Sequence, residues 1–115
     1  MLIAVYGSLR EGRYNHPYFL GDIERLDTMT VKGKLYSLGA YPAITDGEDD
    51  VEIELYDVPT ELYHSIRGME IGAGYIEIDT PTIHGEAKLW MIPAENLERA
   101  YEVPPSSDGI VRWEE

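Results

Sequence analysis

The chain has 115 residues, of which 43% are apolar and none is Cys, and its formal net charge at pH 7 is −13. This length predicts one domain, residues 1–115, with enough apolar side chains for a packed core. The negative charge disfavours binding to nucleic acid or to an anionic membrane surface. The lack of Cys excludes disulfides and thiolate chemistry. No apolar stretch approaches the ~18 residues of a membrane span, so we expect a cytoplasmic protein.

The charge is distributed unevenly along the chain. Residues 1–45 carry five basic and four acidic side chains, a net charge of +1. Residues 46–115 carry four basic and 18 acidic side chains, a net charge of −14. We therefore expect that an anionic small molecule, if one binds, is accepted by the N-terminal part of the chain.

The first predicted element is a strand at residues 2–6, because its continuous apolar run is typical of a strand that is buried on both faces. The Gly7-Ser8 pair ends this strand, and a short helical turn is predicted within residues 15–20. A long, bent strand follows at residues 28–38. Gly33 indicates a bulge in that strand.

The acidic run at residues 46–50 is interpreted as an exposed turn that leads into a half-buried strand at residues 51–56. One amphipathic helix is predicted over residues 60–69, with Thr60 as its N-cap. The remaining predicted elements are strands at residues 75–78 and 88–92, a short helix at residues 94–100, and a C-terminal segment held to the body by Trp113.

Strands outnumber helices in this prediction and do not alternate with them regularly. The sequence therefore predicts an α+β fold, with a small mixed β-barrel or a strongly curved sheet flanked by two or three short helices. A doubly wound α/β fold is disfavoured, because it requires regular alternation of strands and helices.

The strong catalytic signatures are missing, including an HExxH motif, a nucleophile elbow and a phosphate-binding P-loop. His16, His64 and His84 lie in separate sequence contexts, and each is interpreted as a surface or packing residue. The acidic segment 46–54 lacks the spacing of a calcium-binding loop. We therefore expect neither a metal site nor a cofactor.

The segment from Tyr6 to Arg10 directly follows the first predicted strand. Gly7 allows a tight turn that leaves successive backbone N–H groups unpaired, and such groups can converge as an anion-binding nest. Ser8 has no His nearby in sequence and no surrounding elbow motif, so its backbone is a better candidate than its hydroxyl group. A plain strand-to-loop turn is the alternative interpretation.

Glu70 is the second candidate for a functional residue. If the predicted helix continues for one more turn, Leu62, Ile66 and Glu70 share one face, and a carboxylate lies on the apolar stripe. Desolvation at that position raises the pKa of a carboxylate, as general-base catalysis near neutral pH requires. The alternative is that Gly68 ends the helix and leaves Glu70 in solvent.

Several motifs occur together in a characteristic order. They are Tyr6-Gly7-Ser8-Leu9-Arg10, the segment GKLYSLGAYPA at residues 33–43, Glu54-Leu55-Tyr56, and Glu70 followed by Tyr75. This combination, over roughly residues 3–80, resembles the γ-glutamylcyclotransferase-like family, whose members are also called AIG2-like or γ-glutamylamine cyclotransferase-like proteins. The resemblance implies a small mixed β-barrel flanked by helices. It also implies a lyase- or acyltransferase-type cyclisation that converts a γ-glutamyl amine or γ-glutamyl amino acid to 5-oxoproline.

The resemblance also implies roles for particular residues. Glu70 is the expected catalytic acid/base, and the expected substrate-binding residues are Tyr6, Gly7, Ser8, Leu9 and Tyr75. The cyclisation requires no metal and no cofactor, because nucleophile and electrophile belong to one molecule. We expect a monomer whose partner is a small γ-glutamyl substrate, with neither nucleic acid nor a membrane as a partner.

A second hypothesis is a non-catalytic domain with the same fold. Such a domain would keep the pocket to bind a small carboxylate, or would use its acidic surface to bind a basic partner. The net charge of −14 on residues 46–115 motivates this hypothesis, because it exceeds what the solubility of a small domain requires.

Overall fold

A computed structural model describes residues 1–98 and 100–114 of the chain. In chain order the elements are β1 (Leu2–Val5), α1 (His16–Phe19), β2 (Asp27–Ser37), β3 (Pro42–Asp57), α2 (Thr60–Gly72), β4 (Ile76–Thr82), β5 (Gly85–Met91), β6 (Tyr101–Glu102) and β7 (Ile110–Val111). A 3₁₀ turn at Ala94–Asn96 lies between β5 and β6. Within the described ranges, no helix is both long and apolar enough to cross a membrane.

The described strands form one mixed sheet in the order β4-β5-β1-β3-β2-β6, and β7 pairs with β3. β1 is central, because it runs antiparallel to β3 on one side and parallel to β5 on the other. The sheet curls on itself: the N–H of Ile92, just after β5, donates to the carbonyl of Ile44 near the start of β3 (3.1 Å). The predicted α+β class with a strongly curved sheet is confirmed.

Apolar side chains cover both faces of this sheet. Ala4 and Tyr6 belong to an inner cluster inside the curl, whereas Ile3 and Val5 belong to a cluster on the side of the helices. β1 is therefore buried on both faces, as its unbroken apolar run predicts. Trp113 is also part of the inner cluster and holds the C-terminal segment to the body, as predicted.

The acidic run at residues 46–50 is part of β3, so the predicted turn is wrong. The register between the two strands shifts at Gly33 and Lys34 of β2, and residues 46–48 of β3 have no partner in β2. A Cβ on Gly33 would lie 2.8 Å from the Ile44 side chain, so glycine is required at this close approach. The bulge predicted at Gly33 is confirmed, but the extra residues belong to β3.

α2 extends three residues beyond its predicted end and finishes at Gly72. Gly68 does not end the helix, because a single solvent-facing glycine weakens a helix by only about 1 kcal/mol. Thr60 is the first helical residue, and Pro59 occupies the N-cap position without a side-chain hydrogen bond. The predicted N-cap was therefore wrong, while the longer helix carries Glu70 on its last turn.

The helix predicted at residues 94–100 is replaced by the 3₁₀ turn at Ala94–Asn96. Arg99 lies outside the described residues. The chain then extends to form β6, which pairs with the end of β2 through Tyr36 and Glu102.

Candidate active site

A pocket of about 230 Å³ lies where the end of β1, the start of β3, the last turn of α2 and β5 meet. This volume is below the roughly 300–1,000 Å³ of a pocket for a drug-sized ligand, which suits a molecule of amino-acid size. The sequence-predicted site residues all line it, namely Tyr6, Gly7, Ser8, Leu9, Glu70 and Tyr75. Asn15, Tyr41, Pro42 and Met69 also line the pocket, and the sequence did not assign them to a site.

The turn after β1 brings unpaired backbone donors to the pocket. The Gly7 carbonyl accepts a hydrogen bond from the Arg10 N–H (3.1 Å), and the Ser8 carbonyl accepts one from the Asn15 N–H (2.9 Å). The N–H and C=O of a trans peptide point in opposite directions, so the N–H groups of Ser8 and Leu9 point away from these partners. Within residues 1–98 and 100–114, neither N–H has an acceptor. The turn therefore leaves two adjacent N–H groups available to an anion.

Two side chains that the sequence did not assign to the site hold this turn. The Asn15 amide donates to the Ser8 hydroxyl oxygen (2.8 Å). The Nδ1 of His16 donates to the carbonyl of Leu9 (2.8 Å), and the His16 ring packs against Tyr56 with ring centroids 5.8 Å apart. Only the fold reveals these contacts, because polar side chains seven residues away form no recognised sequence motif.

Gly7 lies directly against Pro42. A Cβ on Gly7 would come within 2.9 Å of the Pro42 ring. The Pro42 carbonyl accepts a hydrogen bond from the hydroxyl of Tyr75 (2.5 Å), so the proline is itself held in place. Gly7 has no positive φ, so glycine is required at this position for close packing and not for backbone conformation.

We expect Gly7→Ala to lower the free energy of unfolding by about 1–3 kcal/mol, because the new methyl group overpacks this contact. The displaced turn should also bind small carboxylates more weakly. Thermal unfolding with and without ligand measures both effects. Gly68→Ala is the control, because a Cβ there meets nothing within 4 Å and should be neutral or slightly stabilising. Equal behaviour of the two variants would contradict the prediction.

Glu70 brings a carboxylate into the pocket from the last turn of α2. Burial raises its pKa to about 7, and no hydrogen bond from the described residues offsets that burial. At neutral pH the carboxyl group can therefore both accept and release a proton. The helix continues past Gly68, so the alternative in which Glu70 lies in solvent is excluded.

The hydroxyl groups of Tyr6 and Tyr75 complete the polar lining. The Tyr6 hydroxyl donates to the carbonyl of Trp90 (2.6 Å), and that of Tyr75 donates to the carbonyl of Pro42. Burial raises the pKa of both tyrosines, and the Glu70 charge contributes to each shift. Both groups are therefore neutral at physiological pH, and they shape the wall of the pocket.

Glu70 is the one charged residue among the described residues that line the pocket. The basic side chains of residues 1–45 all pair with carboxylates, namely Arg10 with Glu52, Arg13 with Glu114, Arg25 with Glu11 and Glu54, Lys32 with Asp50, and Lys34 with Glu102. None of them lines the pocket. An anion bound in the pocket would therefore accept hydrogen bonds from backbone N–H groups and not from Lys or Arg side chains.

No three His, Cys, Asp or Glu side chains of residues 1–98 and 100–114 are grouped so that they could hold a metal ion. His84 pairs with Asp27 (3.0 Å), and His64 lies beside Tyr63 with ring centroids 5.1 Å apart. His64 and His84 are exposed, whereas His16 holds the turn after β1.

The chain is similar to known proteins over most of its length. A sequence model of the γ-glutamyl cyclotransferase, AIG2-like, family matches residues 3–109. A protein from Vibrio cholerae, provisionally named a γ-glutamylcyclotransferase, is 33% identical over 114 residues, which cover 96% of each chain. A protein from Pyrococcus horikoshii with the same provisional name is 34% identical over 88 residues, covering 76% of this chain and 75% of its own.

The fold agrees with this similarity. The crystal structure of the Pyrococcus horikoshii protein PH0828 superimposes with a TM-score of 0.77 and 29% sequence identity, covering 90% of this chain and 85% of that one. The resemblance that the sequence motifs indicate is confirmed by the family match over residues 3–109. This chain belongs to the γ-glutamyl cyclotransferase, AIG2-like, family.

Proposed function

We propose that this protein converts a γ-glutamyl amine or γ-glutamyl amino acid to 5-oxoproline and releases the amine. The observation that carries the proposal is a pocket lined by Glu70, whose pKa burial raises to about 7, and by Ser8 and Leu9, whose N–H groups have no acceptor among the described residues. A proton carrier and a set of fixed hydrogen-bond donors are the two kinds of group that this cyclisation needs.

In the proposed reaction the α-amine of the substrate attacks the substrate's own γ-carbonyl carbon. A new C–N bond closes the five-membered ring, and the C–N bond to the leaving amine breaks. Glu70 takes a proton from the α-ammonium group and returns it to the leaving nitrogen, so the carboxylate ends in its initial state. Because nucleophile and electrophile arrive joined, holding the substrate in a folded conformation supplies much of the rate enhancement.

The turn after β1 holds the α-carboxylate of the substrate in this proposal. The N–H groups of Ser8 and Leu9 are adjacent and have no acceptor in the described part of the chain, which suits the two oxygens of a carboxylate. Tyr6 and Tyr75 use their hydroxyl groups to bind protein carbonyls, so their rings serve as the apolar walls against which the γ-glutamyl chain folds.

The charges around the pocket favour a leaving amine that lacks a carboxylate. No Lys or Arg occurs among the described lining residues, and Glu70 is the one charged residue there. The carboxylate of a leaving amino acid would therefore find no cationic partner and would be repelled by Glu70. A neutral or cationic leaving amine meets neither penalty.

Incubation with γ-glutamyl amines and size-matched γ-glutamyl amino acids tests both parts of the proposal. We expect release of 5-oxoproline, measured by chromatography, with kcat/KM at least about tenfold higher for the amines. Equal values would contradict the preference for the leaving group. Thermal stabilisation by 5-oxoproline without turnover would instead identify a small-carboxylate-binding protein.

A further inference from the structure

We infer that Arg10 is a positioning residue that couples the C-terminal segment, residues 110–114, to the substrate-binding turn. The catalytic meaning of this coupling rests on the proposed function. The coupling itself depends only on hydrogen bonds and an ion pair that Arg10 makes outside the pocket.

The Arg10 side chain is 4% exposed, and Arg10 lies outside the pocket lining. Its Nε donates to the Gly7 carbonyl (3.2 Å), and its Nη2 donates to the Trp113 carbonyl. Its Nη1 lies 3.8 Å from the carboxylate of Glu52 on β3. One rigid, planar guanidinium group therefore contacts the turn, the C-terminal segment and the sheet together.

The contact with Gly7 determines where a substrate-binding donor points. The Gly7 carbonyl accepts hydrogen bonds from both the backbone N–H and the Nε of Arg10. That carbonyl and the Ser8 N–H belong to one planar peptide unit, so holding the carbonyl fixes the direction of the N–H. Arg10 thus orients a donor that we propose binds the substrate carboxylate, without touching the substrate.

The C-terminal segment provides a fixed anchor for Arg10. β7 pairs with residues 50 and 51 of β3, and Val111 and Trp113 are buried in the inner cluster. Arg112 donates to the Glu52 carboxylate (3.1 Å). The position of the Trp113 carbonyl is therefore set by packing against the sheet, and Arg10 transmits this position to Gly7.

Two variants test the coupling. Arg10→Lys keeps the charge but lacks the rigid fork that reaches both carbonyls, and Trp113→Ala removes the packing that places the Trp113 carbonyl. Each should weaken binding of 5-oxoproline by roughly tenfold, measured by calorimetry, and should raise KM more than it lowers kcat. Val31→Ala is the control, because Val31 lies in the inner cluster and outside the pocket lining; it should lower Tm and leave the affinity unchanged.

Amide hydrogen exchange tests the coupling in the absence of any ligand. The N–H groups of Arg10 and Asn15 donate to the carbonyls of Gly7 and Ser8, so their exchange should accelerate more in Arg10→Lys than that of the β2 and β3 amides. Uniform acceleration, or unchanged affinity in Arg10→Lys, would overturn the coupling. If the native protein does not bind 5-oxoproline but exchange in Arg10→Lys still accelerates locally, the proposed function is overturned and the coupling is supported.

Discussion

Replacement of Glu70 by Gln is expected to lower kcat for release of 5-oxoproline by roughly 10²–10⁴-fold, the usual contribution of a general acid or base. Glutamine has nearly the same shape as glutamate but cannot accept the proton of the α-ammonium group or return it to the leaving amine. The rate of 5-oxoproline formation at saturating substrate, measured at about pH 8, gives the effect directly.

Glu61→Gln is the matched control for this substitution. Glu61 lies in the first turn of the same helix, is exposed, and is absent from the pocket lining, so its replacement should leave kcat and KM unchanged. Binding of 5-oxoproline to the Glu70→Gln variant would show that the pocket is intact. Activity that survives in Glu70→Gln would remove Glu70 from the mechanism.

The same substitution is expected to stabilise the protein at high pH. Burial raises the pKa of Glu70 from 4.5 to about 7 on folding. Below the lower value the carboxyl is protonated in both the folded and unfolded states, so its titration contributes nothing to stability. Between the two values only the unfolded state ionises, and stability falls as the pH rises. Above about pH 7 the cost is constant at no more than about 3 kcal/mol, and solvent screening at this partly exposed residue reduces it.

Urea denaturation of the native protein and of Glu70→Gln at several pH values measures this difference. The free energy of unfolding of the variant should exceed that of the native protein at about pH 8, and the difference should shrink towards about pH 4. Glu61→Gln should show no such trend. A difference independent of pH would indicate that the Glu70 carboxylate is not desolvated. In the same pH range kcat/KM of the native protein should fall below about pH 7, by up to tenfold per pH unit.

Local patterns were sufficient for most of the fold. The unbroken apolar run at residues 2–6 predicts a central strand, and β1 has both faces buried. The apolar spacing of Leu62 and Ile66 predicts α2, and Gly33 indicates the bulge between β2 and β3. These features depend on burial of neighbouring side chains, which is encoded at short range along the chain.

Two elements were wrong because local composition does not distinguish the states that compete there. The acidic residues 46–50 are equally suited to an exposed turn and to a strand with a solvated face. The strand is selected because the flanking residues 42–45 and 49–55 pair with β2. Residues 94–100 have the composition of a short helix, but the chain extends towards β6 at the edge of β2 after the 3₁₀ turn at Ala94–Asn96.

For the candidate site, sequence reasoning identified residues that line the pocket but not the side chains that hold the turn after β1. Ser8 and Glu70 were candidates from the turn, the helical spacing and the motif order, and both line the pocket. The contacts of Asn15 and His16 with the turn match no recognised motif. Arg10 lies within the quoted motif, but its contact with the Trp113 carbonyl joins segments that meet only after folding.

By itself, the sequence of this acidic, Cys-free chain determined a curved α+β sheet, one amphipathic helix and a carboxylate on the apolar stripe of that helix. Tertiary structure alone decided that the basic side chains of residues 1–45 pair with carboxylates outside the pocket. It also decided that Glu70, Ser8 and Leu9 line one pocket. The physical reason is that desolvation and ion pairing depend on distances between segments remote in sequence, and no local pattern records those distances.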